Sequence, residues 1–327
     1  MRFLLSSGAL VPGFRRLSAI LLLLGGPGLF GGSGLALAAN PSPGGADTVA
    51  QGGTARAGTH GLGSVLAAPA LLGLTARYQI QASGELGPDK LKGLKAYAMD
   101  SNTGLVAMGL GWQYQLSEPI SHLRDLPGWI EPGTDLSNPT ARSILGGGLS
   151  AALADRRLGL GLGLSWHNRA TRFSDTESWF QGNLSVAGRV GPGEELVLSF
   201  VADNLIVPSN VESPLTFGTG MALRPIPEVG ISGQVDLLTG AFDQPVELAF
   251  GMGAEGVLAE TVALRGGFRR DADRDSDFAT MGLGLLSPQV SLDYAAELVV
   301  GHADQAPAGW EDGKLRHQHT LSLLIQL

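Results

Sequence analysis

The end of the chain alternates between apolar residues and mostly polar ones, and this pattern constrains the fold more than any other feature. Leu321, Leu323, Ile325 and Leu327 lie at every second position up to the last residue. A period of two is typical of a β-strand with one apolar and one polar face. Some dozen segments upstream repeat the pattern. The sequence therefore predicts an all-β fold, a transmembrane antiparallel β-barrel of an outer membrane.

The last strand also predicts how the barrel closes. A bare strand edge in lipid would leave unpaired backbone groups, and each of them is costly where no water can replace the partner. We therefore expect the segment 315–327 to pair with the first strand, near 71–82. Both ends of the chain would then lie in the periplasm.

About fourteen amphipathic segments can be counted, most of them near the ~9–11 residues that a tilted strand needs to cross the bilayer. They lie at 71–82, 91–99, 104–116, 142–154, 157–168, 178–190, 195–205, 216–224, 228–238, 245–254, 259–269, 277–286, 289–300 and 315–327. Short links such as Asp155-Arg156 and Glu255-Gly256 alternate with longer polar links such as 117–141. Bacterial barrels have short periplasmic turns and longer outer loops, so we expect the long links outside.

The N-terminus has the three parts of a secretory signal peptide. A basic flank with Arg15 and Arg16 precedes the apolar run 20–24, and small residues follow up to Ala39. We therefore assign 1–39 to a signal peptide and expect the protein in a Gram-negative outer membrane, with membrane lipid and the barrel-assembly machinery as partners. The net charge of −8 argues against nucleic acid as a partner. The lack of cysteine excludes thiol catalysis and disulfides.

The region 40–70, between the signal and the barrel at 71–327, is rich in Gly and Ala and shows no strand alternation. It could be a disordered periplasmic tail. It could also fold into the lumen as a plug, as segments do in some larger barrels. We favour the plug, because the stretch 62–73 is too apolar to remain solvated.

The alternation assigns each side chain to a face. In 157–168 the leucines and Trp166 should face lipid, while glycines such as Gly161 should face the lumen. Inward glycine would leave room, so we expect a Gly161→Ser variant to be tolerated. Charged residues in the strands should point inward, because charge on the lipid face near the midplane costs about 2–4 kcal/mol. The expected lumen-facing polar residues are Glu247, Arg265, Asp293 and Glu297.

Several short stretches resemble a known family. The N-terminal ones are 52–57 and Ala68-Pro69-Ala70-Leu71. Further on come 202–205, 214–218, 262–268, 282–284 and 291–295. In this order they resemble the long-chain fatty-acid transporter (FadL) superfamily, and most closely its PorV/PorQ-like branch. The resemblance implies a fourteen-stranded barrel with an N-terminal segment inside.

The resemblance leaves two functions open. A FadL-like protein would be a passive channel for hydrophobic or amphipathic small molecules, with an apolar pocket near the outer loops. Candidate residues for that pocket are Leu126, Trp129 and Ile130 in the link 117–141. A PorV-like barrel would instead dock or shuttle a secreted protein at the cell surface, without transporting anything.

Three further motifs give only weak indications of calcium binding, hydrolase activity or metal binding. The alternating carboxylates from Asp271 to Asp277 lack the glycine and the distal glutamate of a calcium loop. Ser165 and His167 share the inner face, but no Gly-x-Ser-x-Gly turn accompanies them. The spacing of His317 and His319 would suit a metal, yet interfacial polarity explains it. We therefore expect no enzyme activity, catalytic residue, cofactor or metal.

Overall fold

The computed structural model describes ten stretches of the chain, all within one compact unit. They are residues 44–58, 62–86, 91–117, 140–171, 177–191, 195–206, 215–239, 246–271, 276–302 and 317–327. The predicted signal peptide lies outside them, as does almost all of the link 117–141 with Leu126, Trp129 and Ile130.

In the described residues, two short α-helices and a 3-10 helix precede fourteen strands. The helices are α1 (Ala46–Ala50), α2 (Ser64–Ala67) and the 3-10 helix η1 (Pro69–Leu74). The strands are β1 (Tyr78–Leu86), β2 (Leu91–Asp100), β3 (Val106–Ser117), β4 (Thr140–Leu153), β5 (Leu158–Thr171), β6 (Glu177–Val190), β7 (Leu196–Asp203), β8 (Thr216–Ile226), β9 (Val229–Leu238), β10 (Glu247–Leu258), β11 (Val262–Asp271), β12 (Ser276–Leu286), β13 (Val290–His302) and β14 (His317–Gln326). No helix in the described part of the chain is long and apolar enough to span a bilayer.

The fourteen strands form a closed antiparallel barrel, as predicted. Each strand pairs with its neighbours in sequence, and β1 pairs with β14 through contacts such as Ile80 with Ile325. The amide of Leu327 donates to the carbonyl of Tyr78 at 3.0 Å, so pairing continues to the last residue. First-to-last pairing leaves no free sheet edge in the hydrocarbon.

The predicted faces are also observed. Leu160, Leu162 and Leu164 in β5 are about half exposed, whereas Gly161 between them is buried. In β13, Leu292 and Tyr294 are exposed, while Asp293 is only 3% exposed. An apolar exterior of this kind suits lipid, and together with the closed barrel it places the protein in the outer membrane of a Gram-negative bacterium.

The first strand begins later than the sequence suggests. Residues 71–74 belong to η1, whose residues are all buried, and β1 starts only at Tyr78. Leu71, Leu72 and Leu74 have no period of two, because a 3-10 helix turns its side chains in several directions. Pro69 at the start of this helix fits, since its missing N–H needs no partner there.

One predicted turn is also displaced. Glu255 and Gly256 lie within β10, and the chain reverses only at Ala259 and Glu260, both of which have positive φ. Glu255 faces inward and pairs with two arginines. The sequence predicts a turn here because glycine beside a charged residue is typical of one. The ion pairs that hold Glu255 inside the lumen depend on the tertiary structure and cannot be inferred from the local sequence.

The two ends of the barrel differ in their connections. At one end the strands are joined by short turns, among them 154–157, 227–228 and 287–289; we call it the short-turn end. At the other end the strands lead into 118–139, 207–214 and 303–316, and we call it the loop end. We expect the short-turn end to face the periplasm.

Cysteine labelling tests this orientation. A cysteine at Gly133 should react with a membrane-impermeant maleimide in intact cells, whereas one at Asn102 should react only after lysis. Asn102 is exposed at the short-turn end, and the neighbouring Ser101 is fully buried, so Ser101 would be protected in either orientation. Labelling of Asn102→Cys but not of Gly133→Cys in intact cells would invert the topology.

Candidate functional site in the lumen

The described residues 44–58 and 62–75, here called the lumenal segment, lie inside the barrel. Helix α1 packs on β11 to β14, and η1 packs on β3 to β6. Leu62, Val65, Leu71 and Leu72 are all almost completely buried. These side chains pack against apolar residues of the wall such as Tyr97 and Val197, and this packing removes apolar surface from water.

Inward glycines let the segment approach the wall. A Cβ at Gly161 would overlap the backbone nitrogen of Ala70 and come within 2.5 Å of Ser185 Oγ. A Cβ at Gly253 would lie 2.6 Å from the carbonyl oxygen of Gln51. Our expectation of free space at Gly161 is therefore wrong, because the lumenal segment occupies it.

Wall hydroxyls satisfy backbone groups of the segment. Ser322 Oγ accepts a hydrogen bond from the amide of Ala46 at 2.6 Å, and Ser185 Oγ accepts one from Ala70 at 2.9 Å. Thr280 Oγ1 donates to the carbonyl of Ala50 at 2.9 Å. A buried backbone group without a partner costs about 1–3 kcal/mol, so these hydroxyls are needed for the segment to stay inside.

Arg56 anchors the segment on the side of β7 to β9. Its guanidinium lies 2.9 Å from Asp203 Oδ2 and 3.0 Å from Asp236 Oδ1. Its amide donates to Gln234 Oε1 at 3.1 Å, and Ser199 donates to its carbonyl. Burial alone would lower the pKa of Arg56, but Asp236 and Asp203 outweigh burial and raise it. Arg56 is therefore a permanent cation bridging two strands.

A second charge network lies nearer the short-turn end. Arg265 contacts Glu255 at 2.7 Å and Asp293 at 2.5 Å, and Glu255 also contacts Arg224 at 2.6 Å. Asp47 of α1 lies in the same field. Burial first, and then Asp293, raise the pKa of Asp47, although Arg265 opposes them.

The structure places the other predicted lumen residues as follows. Glu297 is 4% exposed and pairs with Arg269 at 2.5 Å. Glu247 lies opposite Leu238 at an inward position, but it is exposed at the loop end of β10. Arg265, Asp293 and Glu297 thus take part in buried ion pairs, whereas Glu247 lies at the rim.

Two cavities flank the lumenal segment, each with a volume of about 230 Å³. The loop-end cavity is bordered by Leu66, Ala67, Ile144 and Leu238, by uncharged polar residues that include Gln113 and Ser165, and by charged residues of both signs. The short-turn-end cavity is bordered by Val197, Ala222 and several charged side chains. Gln51, Gly52 and Thr54 of the segment lie between them.

Ser165 and His167 form a hydrogen bond, but its direction does not suit catalysis. Ser165 Oγ lies 2.8 Å from His167 Nε2, and Arg142 Nη2 lies 3.3 Å from Nδ1. A guanidinium can only donate, so Nδ1 accepts and the ring proton resides on Nε2. His167 then donates to Ser165 and cannot take its proton, as a serine nucleophile would require.

The structure also shows the surroundings of the residues that could bind a metal, His317, His319 and the run from Asp271 to Asp277. His319 stacks on the outward Tyr294 and lies 2.6 Å from its hydroxyl, while His317 lies edge-on to His319. The run from Asp271 to Asp277 lies partly outside the described residues. In the described stretches, no group of three or more His, Asp or Glu side chains is arranged to hold a metal ion.

The residues that fix the segment, above all Arg56, Asp203 and Asp236, were not predicted from the sequence. A signal was present: Asp47 and Arg56 are the only charged residues in the otherwise uncharged stretches 44–58 and 62–75. A charge in a segment that enters a lumen needs a counter-ion there. The identity of its partners could not be inferred, because they come from distant strands.

Solved structures with a similar fold include two toluene transporters. The toluene transporter TbuX of Ralstonia pickettii superposes with a TM-score of 0.60 over 86% of this chain and 97% of its own, at 13% identity. The toluene transporter TodX of P. putida gives a TM-score of 0.59 over 86% and 96%, at 11% identity. The chain has their fold.

These identities are too low to carry more than the fold. The neighbours are FadL-type barrels, which agrees with the broader resemblance noted above, but they give no support to the PorV/PorQ-like branch. Neither a protein-family model nor a curated protein sequence matches the chain.

The glycine contacts predict that Gly161→Ser impairs assembly. The added side chain would collide with Ala70 and force the lumenal segment off the wall. Gly230→Ser is the matched control, because a Cβ there would have no neighbour closer than 3.6 Å. Heat-modifiability on gels should show less folded barrel for Gly161→Ser and a normal amount for Gly230→Ser. Equal behaviour of the two would mean that the segment does not press on β5.

The anchor predicts that Arg56→Gln is strongly destabilising. Removing one partner from a buried ion pair costs about 3–5 kcal/mol, because the remaining carboxylates stay buried without a counter-ion. Arg270→Gln breaks the ion pair between Arg270 and Asp277. Both side chains are about one-third exposed, so this substitution should lower the free energy of unfolding by only about 0–1 kcal/mol. Thermal unfolding in detergent compares the two. Similar losses would contradict the role assigned to Arg56.

Proposed function

We propose that the protein is an outer-membrane channel for small hydrophobic or amphipathic molecules, which first bind in the loop-end cavity. The observation that carries the proposal is this cavity, which has the lumenal segment as its floor. Structurally similar proteins support it, since they include toluene transporters and a monoaromatic hydrocarbon channel.

The cavity volume indicates the size of the ligand. An apolar cavity of about 150 Å³ holds benzene, so a cavity of about 230 Å³ suits a molecule with one ring rather than a long acyl chain. Leu66, Ile144 and Leu238 provide apolar contacts, while Gln113 and Ser165 provide hydrogen-bonding groups. Such a mixed lining favours an apolar body with a few polar atoms.

Passage towards the short-turn end requires the lumenal segment to move. Its backbone contacts the wall at Gly161 and Gly253, and it separates the two cavities. The alternative in which the barrel docks a secreted protein has no support from these structural neighbours, which are transporters. The Ser165–His167 geometry gives no support to an enzyme.

Uptake of a labelled monoaromatic compound tests the proposal. Deletion of the protein should lower uptake, and the wild-type chain should restore it. Ile144→Asn should restore much less uptake. A buried aliphatic side chain contributes about 1.5–3 kcal/mol to an apolar contact, so its loss should weaken ligand binding by roughly tenfold or more. Trp129→Asp, in the link outside the described residues, should also lower uptake if that loop helps to capture the ligand.

Leu145→Ala is the matched control, since Leu145 is the next residue and faces outward with 51% of its surface exposed. It should transport like wild type. If deletion left uptake of aromatic and fatty-acid probes unchanged but altered which proteins reach the cell surface, the docking function would replace the channel.

A further inference from the structure

Ser165 borders the loop-end cavity, and the direction of its hydrogen bond leaves its own proton unused. Its Oγ lies 2.8 Å from His167 Nε2, which donates to it because Nδ1 faces the guanidinium of Arg142. The serine proton must therefore point elsewhere. Within the described stretches, His167 is the one hydrogen-bond partner of Ser165, so the hydroxyl keeps a spare donor at the cavity wall.

Two contacts hold the imidazole of His167 in this orientation. Its ring stacks on Trp179, with ring centroids 5.2 Å apart and an angle of 17° between the planes. The guanidinium of Arg142 lies 3.3 Å from Nδ1, and it also lies over the Trp179 ring, 5.9 Å from the centroid. Since a guanidinium only donates, Arg142 fixes which ring nitrogen carries the proton. Through His167 it also fixes the direction in which Ser165 donates.

Two amide oxygens that belong to residues beside the same cavity lack a donor. Asn183 Oδ1 and Gln113 Oε1 are buried, and no donor among the described residues reaches either of them. The orientation of the Asn183 amide is fixed, because its Nδ2 lies 2.9 Å from the carbonyl oxygen of Leu66, which can only accept. A buried acceptor without a partner is costly, so these oxygens favour a ligand that brings a proton.

Asn183 and Ser165 are neighbours on the inner wall. Asn183 lies directly opposite Gly163 in the pairing of β5 with β6, and Ser165 is the next inward residue of β5. A Cβ at Gly163 would overlap Asn183 Oδ1, so the amide lies over the glycine. A spare donor and a spare acceptor therefore lie in one small region of the wall.

The charge at this cavity is partly neutralised by ion pairs within the wall and the lumenal segment. Arg56 lies 2.9 Å from Asp203 and 3.0 Å from Asp236. The groups with spare hydrogen-bonding capacity, Ser165 and Asn183, are uncharged. Such groups suit a neutral ligand with a polar atom better than an ion, which would need a counter-charge when buried.

We propose that the loop-end cavity selects one-ring compounds that carry a hydroxyl group, such as phenols. A hydroxyl both accepts and donates, so it accepts the proton of Ser165 and donates its own to Asn183. A hydrocarbon of the same size does neither, and an ether or a ketone uses only Ser165. The inference rests on the proposed channel function, since it specifies the ligand of the same cavity.

Equilibrium dialysis of the purified protein compares p-cresol with p-xylene, which has a methyl group in place of the hydroxyl. Equal detergent in both chambers cancels partitioning into micelles. Ser165→Ala should weaken p-cresol binding by about two- to tenfold, the range for one neutral hydrogen bond, and leave p-xylene binding unchanged. Asn183→Leu, which removes the acceptor at similar volume, should show the same selective loss.

Arg142 is tested as a positioning residue through the same ratio of affinities. Arg142→Met allows His167 to accept from Ser165, so p-cresol should bind more weakly while p-xylene binding is unaffected. Arg142→Lys retains a group that only donates, and it should keep the preference for p-cresol. A merely structural role of Arg142 would change the binding of both ligands together.

Ser143→Ala is the matched control, because Ser143 shares the outward side of β4 with the exposed Leu145 and does not border the cavity. It should bind both ligands like wild type, and heat-modifiability should show that each variant is folded. If Ser165→Ala weakened both ligands equally or neither, or if the wild type bound neither, the hydroxyl assignment would be overturned. Toluene uptake decides the channel proposal separately, because that proposal stands if deletion lowers uptake, whatever the ratio of affinities.

Discussion

The lumenal segment remains in the barrel because the wall satisfies its backbone. Its amides donate hydrogen bonds to Ser322 and Ser185, and one of its carbonyls accepts a hydrogen bond from Thr280. Wall glycines such as Gly161 allow the close approach that these bonds need. Without the hydroxyls the segment would bury unpaired polar groups, and without the glycines it could not reach them. The division of the lumen into two cavities depends on this fit.

Buried ion pairs then fix the segment at one position. Arg56 bridges Asp203 and Asp236, which belong to different strands, and Asp47 lies in the field of Arg265 and Asp293. Charges of this kind add little net stability compared with apolar packing, but each is costly to leave alone. They therefore disfavour every alternative placement of the segment.

Both cavities are lined by charged side chains of both signs as well as by apolar ones. At the loop end, Arg56, Arg269 and Arg270 each have a carboxylate partner, so the lining is polar but nearly balanced. At the short-turn end, three arginines border the cavity beside three carboxylates. The loop-end cavity fits a neutral molecule that has an apolar body and a few polar atoms.

The sequence by itself determined the closed barrel, a strand number of about fourteen and the face of the residues in strands such as β5 and β13, because a period of two reports directly which side of a sheet a side chain occupies. It also predicted that an apolar N-terminal stretch enters the lumen. Only the tertiary structure decided that η1 continues this stretch to Leu74, that β10 extends past Glu255, and that Arg56 meets Asp203 and Asp236. Strand periodicity contains no information about which inward atoms meet across a lumen, since those contacts depend on barrel closure and on the path of a segment without periodicity.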